Sequence, residues 1–361
     1  MIATMKVTHD KKEAKPVDLT ETITPHNEEW LKEFDLTDIV GNVRPVGSGI
    51  CKAPKCDGTD NDECFESCGN KATPDDIYGC PERDNWALTF DDGPSNFTTD
   101  LLDILDEADI KATFCIMGAH AKQYPEIVKR AYESGHQIAS HTYSHAHLMS
   151  LTNEEIIYEL RATEEVIKEI IGIRPRYIRP PYGEADARVK QIFKKLGYKA
   201  LMWNVDPTDY NVHMLPDGAQ QIQQMFDKIA SGTPSNLNAH SDPGFISLQH
   251  DLYNTSIQQV PKIIESLKDK GFSFSTAAQC VGDKKPHRKG DRSEDSDYGS
   301  DDDDDDDYHE DKLKQNSAES FSEMKASQQQ EQSQMSSAGS LSSSFFVTLG
   351  LAIAGLANCL I

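Results

Sequence analysis

Residues 86–94 read Trp86-Ala87-Leu88-Thr89-Phe90-Asp91-Asp92-Gly93-Pro94, and the rest of the chain falls into order around them. The first five are apolar apart from a β-branched threonine, which suits a short buried strand. Two adjacent carboxylates close that strand, and Gly-Pro then turns the chain away. Neighbouring strand positions face opposite ways, so Asp91 and Asp92 can serve two different purposes in one pocket. Aspartate is also a common turn former, and taken alone the pair reads as an acidic turn. What lifts it above a turn lies downstream, where each later strand end also carries a His, Arg or Asp.

Downstream, strand-length apolar runs alternate with segments of helical period. The spacing predicts a helix over 98–108 with Leu101, Leu102 and Leu105 on one face, then a strand over 112–116. A further helix opens at Pro125 and stops before Gly135, and residues 137–140 form the next strand. Thr152 and Glu155 carry a capping-box pattern that starts a long helix ending before Gly172. Strands over 177–179, 200–204, 245–248 and 272–274 alternate with helices over 189–196, 219–229 and 255–270. Repeated β-α units imply a parallel sheet with helical crossovers, and such a sheet closes at about eight strands. The expected fold is α/β, a distorted (β/α) barrel of about seven or eight strands, with reactive groups gathered where strands end.

The flanks differ from this core. Residues 1–50 carry scattered charge without a period and are expected to form a loosely ordered arm. Residues 51–80 hold Cys51, Cys56, Cys64, Cys68 and Cys80 among Asp, Gly, Asn and Pro, a disulfide-rich extension stapled to the domain over 81–281. With Cys280 these make an even six, consistent with three disulfides and an oxidising compartment; no C-x2-C pair supports a zinc knuckle. Cys115 lies in a strand pattern and reads as a buried thiol, and Cys359 lies in the apolar tail. Residues 282–344 read as an acidic, then Ser/Gln-rich disordered stalk. From Asp283 onward 8 Lys/Arg face 17 Asp/Glu, so this tail supplies −9 of the formal −24. The remaining acidity argues against nucleic acid as a partner.

Small residues near Ser336, a short polar spacer and the apolar run 345–361 form the pattern of a glycolipid-anchor signal. Anchoring requires the secretory pathway, yet 1–21 lack an apolar leader core, so the expectation is that the true N-terminus precedes or differs from Met1. The acceptor triplets at Asn96 and Asn254 fit a secreted, surface-held protein.

Four further clusters complete the strand ends. His141 and His145 stand four apart, on one face if that segment is helical, and can share a cation with a strand-end aspartate. His136 and His147 are off that spacing. An Asp and two His with an open fourth position suit a catalytic rather than structural metal such as Zn2+. Arg179-Pro180-Pro181-Tyr182-Gly183 is expected to run extended and present the Tyr182 N–H to the pocket. Asp206-Pro207-Thr208-Asp209-Tyr210 and Leu248-Gln249-His250-Asp251 follow the next strands, with His250 a proton carrier.

These five clusters, in this order, resemble the polysaccharide deacetylases of carbohydrate esterase family four, across roughly Trp86 to Cys280. The resemblance implies that Asp91 is the general base and that Asp92, His141 and His145 hold one divalent metal ion, Zn2+ or Co2+. It implies that Arg179 orients the base, that the Tyr182 N–H helps hold an oxyanion, that Asp209 orients His250, and that His250 is the general acid. Leu248 opens the fifth motif and is expected to line the substrate pocket. The fourth motif usually ends Asp-Trp, whereas Asp209-Tyr210 stands here, which alters the aromatic wall of the acetyl pocket. Cys80, Cys280 and the tail look most like the fungal chitin deacetylases. That implies a monomer acting on chitin or chito-oligosaccharides with release of acetate, at the plasma membrane or wall. The competing expectations are an acetylxylan esterase, a wall lectin with a dead site, and a structural wall protein.

Overall fold

The computed structural model describes residues 22–48, 73–235 and 237–289. Its strands are β1 (Asn85–Asp91), β2 (Thr113–Ile116), β3 (Gln137–Ser140), β4 (Ile173–Pro175), β5 (Tyr177–Ile178), β6 (Lys199–Ala200), β7 (Phe245–His250), β8 (Ser273–Phe274) and β9 (His287–Lys289). The helices are α1 (Glu28–Leu31), α2 (Thr98–Ala108), α3 (Gly118–Gln123), α4 (Pro125–Glu133), α5 (Asn153–Ile171) and α6 (Ala187–Lys195), then α7 (Asp209–Val212), α8 (Gly218–Ala230), α9 (Asn254–Ile257), α10 (Val260–Asp269) and α11 (Ala277–Cys280).

The main sheet runs β6-β5-β3-β2-β1-β7, all parallel, with β8 also pairing β1. Alternation along β1 sorts its side chains between two cores. Trp86, Leu88 and Phe90 join the layer packed under the helices, with Leu101, Leu105, Val128 and Ile263. Ala87 faces the other way, into the barrel interior with Cys115, Ala139, Tyr177, Ile246 and Leu248. The same parity carries Asp91 inward, level with Cys115 on β2 and His250 on β7. The strand that decides the fold thus delivers its last carboxylate to the barrel mouth.

The barrel is closed irregularly. Between β6 and β7 the seam consists of single bridges, Val205 to Ser247 and Ile77 to Leu201. Asn204 N–H donates to the Ile246 carbonyl (3.0 Å), and Leu248 N–H donates to the Val205 carbonyl (2.8 Å). The strand expected over 200–204 is accordingly only β6 plus these bridges, because the chain there crosses a gap instead of lying along a neighbour.

Several local expectations are met in detail. Thr152 and Glu155 form the capping box of α5, and Gly172 ends that helix at φ 75°, a conformation glycine adopts without steric cost. The single helix expected over 255–270 is instead α9 and α10, since Pro261 has no N–H for the intervening helical bond. Cys80 and Cys280 are disulfide-bonded, and Cys115 is a buried free thiol.

Two flanking expectations need correction. Residues 22–48, read as loosely ordered, lie on the domain, with Trp30, Leu31, Phe34, Leu36 and Ile39 packed on the core beneath α5 and α6. Their apolar residues follow the relief of that surface, so no regular period announces them. Residues 282–289, assigned to the stalk, are also part of the domain. There β9 pairs antiparallel with β4, and Arg288 donates to buried Glu164. Cys51, Cys56, Cys64, Cys68, Cys359, the acidic run 301–307, Ser336, the tail 345–361 and residues 1–21 lie outside the described residues. No helix among the described residues is long and apolar enough to cross a membrane.

Candidate active site

At the mouth of the barrel, where β1, β3, β5 and β7 end, three side chains converge. Asp92 Oδ1 lies 3.2 Å from His141 Nε2 and 3.3 Å from His145 Nε2. One ligand atom from each of the three lies within 4.8 Å of the others, a spacing at which they could hold a metal ion. The segment is not helical, so the two histidines do not share a helix face. Residues 141–147 form a loop in which Thr142 (φ 65°) and His145 (φ 60°) are left-handed, and that reversal brings the second imidazole back beside the first. Asp92 is left-handed too (φ 73°), so its carboxylate turns into the site one residue past the strand.

The donor set fits a cation. His141 Nδ1–H donates to the Arg179 carbonyl (2.7 Å), which fixes the tautomer and leaves the Nε2 lone pair facing Asp92. Asp92 Oδ1 is buried and without a hydrogen-bond partner, as a ligand oxygen would be in the protein alone. Burial opposes charge on Asp92, yet the surrounding histidines hold it well below the usual carboxylate range. Burial pushes His145 down to about 4 against the pull of Asp92, so its imidazole is neutral near pH 7, as a ligand must be.

Asp91 is held differently. Its Oδ1 accepts from Arg179 Nη1 at 2.6 Å, while Oδ2 faces His141 Nε2 at 3.9 Å. Arg179 is fully buried and anchored by donating to Thr89 Oγ1 (2.6 Å) and the Leu201 and Met202 carbonyls (3.2 and 2.9 Å). These bonds fix its orientation, so it presents one donor to Asp91.

Across the site, His250 Nδ1–H donates to Asp209 Oδ1 (2.7 Å), leaving Nε2 4.0 Å from Asp92 Oδ2. Asp209 is fully buried, and its Oδ2 accepts from the His250 N–H (2.8 Å) and Ser256 Oγ (2.7 Å). Burial works against an imidazolium here, but Asp209, with Asp92 and Asp91 behind it, outweighs that and raises His250 to about 10.

Tyr182 stands at the rim, 40% exposed, in a 3-10 turn (Pro181–Gly183) at φ 59°. The segment is therefore not extended throughout as expected: only Pro180 is, and the turn follows it. Leu248 is buried two residues below His250 on the same face of β7, among the interior side chains and not at the rim. Tyr210 is 38% exposed, edge-on to the His250 ring, and its hydroxyl donates to Asp206 (3.1 Å).

Other groups at the site had no usable signal in sequence. His120 Nδ1–H donates to the Asp92 carbonyl (2.6 Å) from α3, and Ser256 supports Asp209 from α9. His147, off the ligand spacing, stacks on the Tyr182 ring (centroids 3.9 Å apart) and bonds to buried Glu184 (2.9 Å). Each acts through a contact between distant segments, which no local pattern encodes.

Residues 78–201 match the family model described as polysaccharide deacetylase. Chitin deacetylase 1 of Cryptococcus neoformans var. grubii is 34% identical over 266 residues, covering 70% of this chain and 55% of that protein. A peptidoglycan-N-acetylglucosamine deacetylase of Bacillus cereus is 34% identical over 208 residues, 57% of this chain and 73% of that one. The chain belongs to the polysaccharide deacetylase family. The solved chitin deacetylase of Colletotrichum lindemuthianum shares the fold at a TM-score of 0.53 and 32% identity, over 57% of this chain and 91% of that structure. The chain spans little more than half, 55%, of the Cryptococcus protein. Asp209 and His250 lie beyond the segment that matches the polysaccharide deacetylase model, so their place in the site rests on geometry.

Proposed function

We propose that this protein is a metal-dependent hydrolase that removes N-acetyl groups from N-acetylglucosamine residues of chitin, giving chitosan and acetate. The observation that carries this is a carboxylate and an imidazole, differently held, beside the Asp92–His141–His145 cluster: Asp91 lies 3.9 Å from His141 and His250 lies 4.0 Å from Asp92. A divalent cation of Zn2+ or Co2+ type held by those three residues would polarise the acetyl carbonyl and acidify a neighbouring water.

The chain's own residues do the rest. Asp91 removes a proton from the attacking water, with Arg179 fixing which oxygen faces the site. The new C–O bond places negative charge on the former carbonyl oxygen, and the Tyr182 N–H is the protein donor that meets it. His250, kept protonated by Asp209, gives a proton to the amide nitrogen as the C–N bond breaks. The C–N bond breaks to give acetic acid and the amine, and the acid's proton passes to the amine or solvent to leave acetate. Both carriers are restored by net transfer of one proton from Asp91 to His250.

Acetate release from chitin oligomers, with and without chelator, tests the whole scheme. Release that survives complete metal removal would end it. The relatives named for chitin and for peptidoglycan make the polymer the open variable, so peptidoglycan belongs in the same assay. Acetylated xylan covers the alternative, the same site acting on an ester. We also propose a secreted, surface-held monomer with a glycolipid anchor near Ser336; the Cys80–Cys280 disulfide supports the oxidising route, and phospholipase release from membranes tests the anchor.

A further inference from the structure

We propose that Glu159 of α5 shapes the loop that carries both histidines, and that the N-terminal arm reaches it through Thr24. Residues outside the segment matched to the family thereby help set how tightly the site holds its cation. This rests on the assignment of Asp92, His141 and His145 as the metal site.

Glu159 is 3% exposed in the middle of a helix, where a carboxylate is costly unless its oxygens are satisfied. None of its side-chain partners lies on that helix. The N–H groups of Tyr143 and Ser144 both donate to Oε2 at 2.9 Å, Ser144 Oγ donates to Oε1 at 2.6 Å, and Thr24 Oγ1 also donates to Oε1. Tyr143 and Ser144 lie between the two histidines and are bracketed by the left-handed Thr142 and His145. A β-branched threonine is strongly disfavoured in that region, so the loop needs an external hold at Thr142. Successive N–H groups turned to one side form a concavity for an anion, and Glu159 supplies the anion from within the chain.

The loop's other edge is held as well. Gly118 and Ala119 N–H, at the start of α3, donate to the Thr142 and Tyr143 carbonyls at 2.9 and 3.1 Å. Glu159 and α3 thus grip the loop from opposite sides, and His145 is placed beside Asp92 by that grip. Thr24 is itself located by its neighbours. His26 stacks on Tyr158 at 4.4 Å between centroids, and the Arg44 N–H donates to the Met149 carbonyl at 2.8 Å.

The test is zinc affinity of the full chain, measured by competition with a chromophoric chelator, alongside the unfolding temperature of the metal-free protein. Glu159→Gln removes the negative charge from the concavity formed by the loop N–H groups, and its zinc affinity should fall roughly 10- to 100-fold, the range for losing a group that orients ligands. Thr24→Val should weaken binding less, and Thr24→Ser should restore it. Wild-type affinity in Glu159→Gln overturns the proposal, and so does a lower unfolding temperature with affinity unchanged. Should Glu159→Gln not fold, the Thr24 pair decides: weakening in Val rescued by Ser supports it, and equal affinities overturn it. A wild-type chain that binds no zinc would instead overturn the metal site itself, a result separate from equal binding by wild type and variants.

Discussion

His250 has one nitrogen spent on Asp209 and one turned to the site, which is the arrangement a proton donor needs. An amine leaves poorly unless protonated, whereas nitrophenolate leaves without help. His250→Asn should therefore cost roughly 10²- to 10⁴-fold on a chitin oligomer and far less on nitrophenyl acetate. Equal losses on both substrates would make His250 a positioning residue. Asp209 stabilises the imidazolium, so Asp209→Asn should move the alkaline limb of the oligomer pH profile to lower pH; an unmoved limb would detach that limb from His250. At this scale much was legible, because Asp91 with Asp92, and His141 with His145, are close in sequence and carry their chemistry in their spacing. The tie between Asp209 and Ser256, 47 residues apart, was not, since a serine donating to a distant carboxylate leaves no local pattern.

At the scale of elements, the end of β1 leaves no room for a side chain at Gly93. A Cβ on Gly93 would sit 2.1 Å from Asp251 Oδ2 and 2.4 Å from Oδ1, and Asp251 is buried, with Thr98 donating to it. Gly93→Ala should cost about 1–3 kcal/mol or more by overpacking, read from denaturant unfolding. An unchanged midpoint would mean that the turn after β1 yields more readily than its contact with Asp251 allows. Strands and long helices were readable because their periods are regular: Leu101, Leu102 and Leu105 mark α2, and Thr152 with Glu155 marks the start of α5. The histidine loop was not. Its spacing fits a helix face, and only tertiary bonds from Glu159 and α3 select the left-handed course. The arm and β9 escaped for a related reason: their packing follows the surface of α5 and β4 and not a period of their own.

The whole domain is tied near its ends by Cys80–Cys280, a sequence separation of 200. A crosslink of that span restricts the unfolded chain strongly, and removing it by Cys80→Ala with Cys280→Ala should cost about 2–5 kcal/mol. Thermal unfolding of the double variant checks this, and an unchanged transition would place the constraint elsewhere. Stability should also depend on pH through His136, which is buried beneath α4 with the Ala112 N–H donating to its Nδ1. Burial, with Lys111 adding to it, lowers this histidine from 6.5 to about 4. The unfolded chain then takes up the proton first, so stability is lost as pH falls from about 6.5 towards 4, by about 3 kcal/mol at the limit. His136→Asn keeps an acceptor for Ala112 and should flatten that part of the stability profile; an identical slope in the variant would assign the loss to other groups.

The pairing of β9 with β4 gives the molecule a direction. β4 runs into the start of β5, and the His287 ring bonds to the backbone of Ile138, near the start of β3, whereas the metal-ligand candidates stand where strands finish. The polypeptide at Lys289 is therefore on the underside of the barrel. A probe attached at Lys289 would sit at the end of the barrel away from the metal-ligand candidates and leave their mouth uncovered.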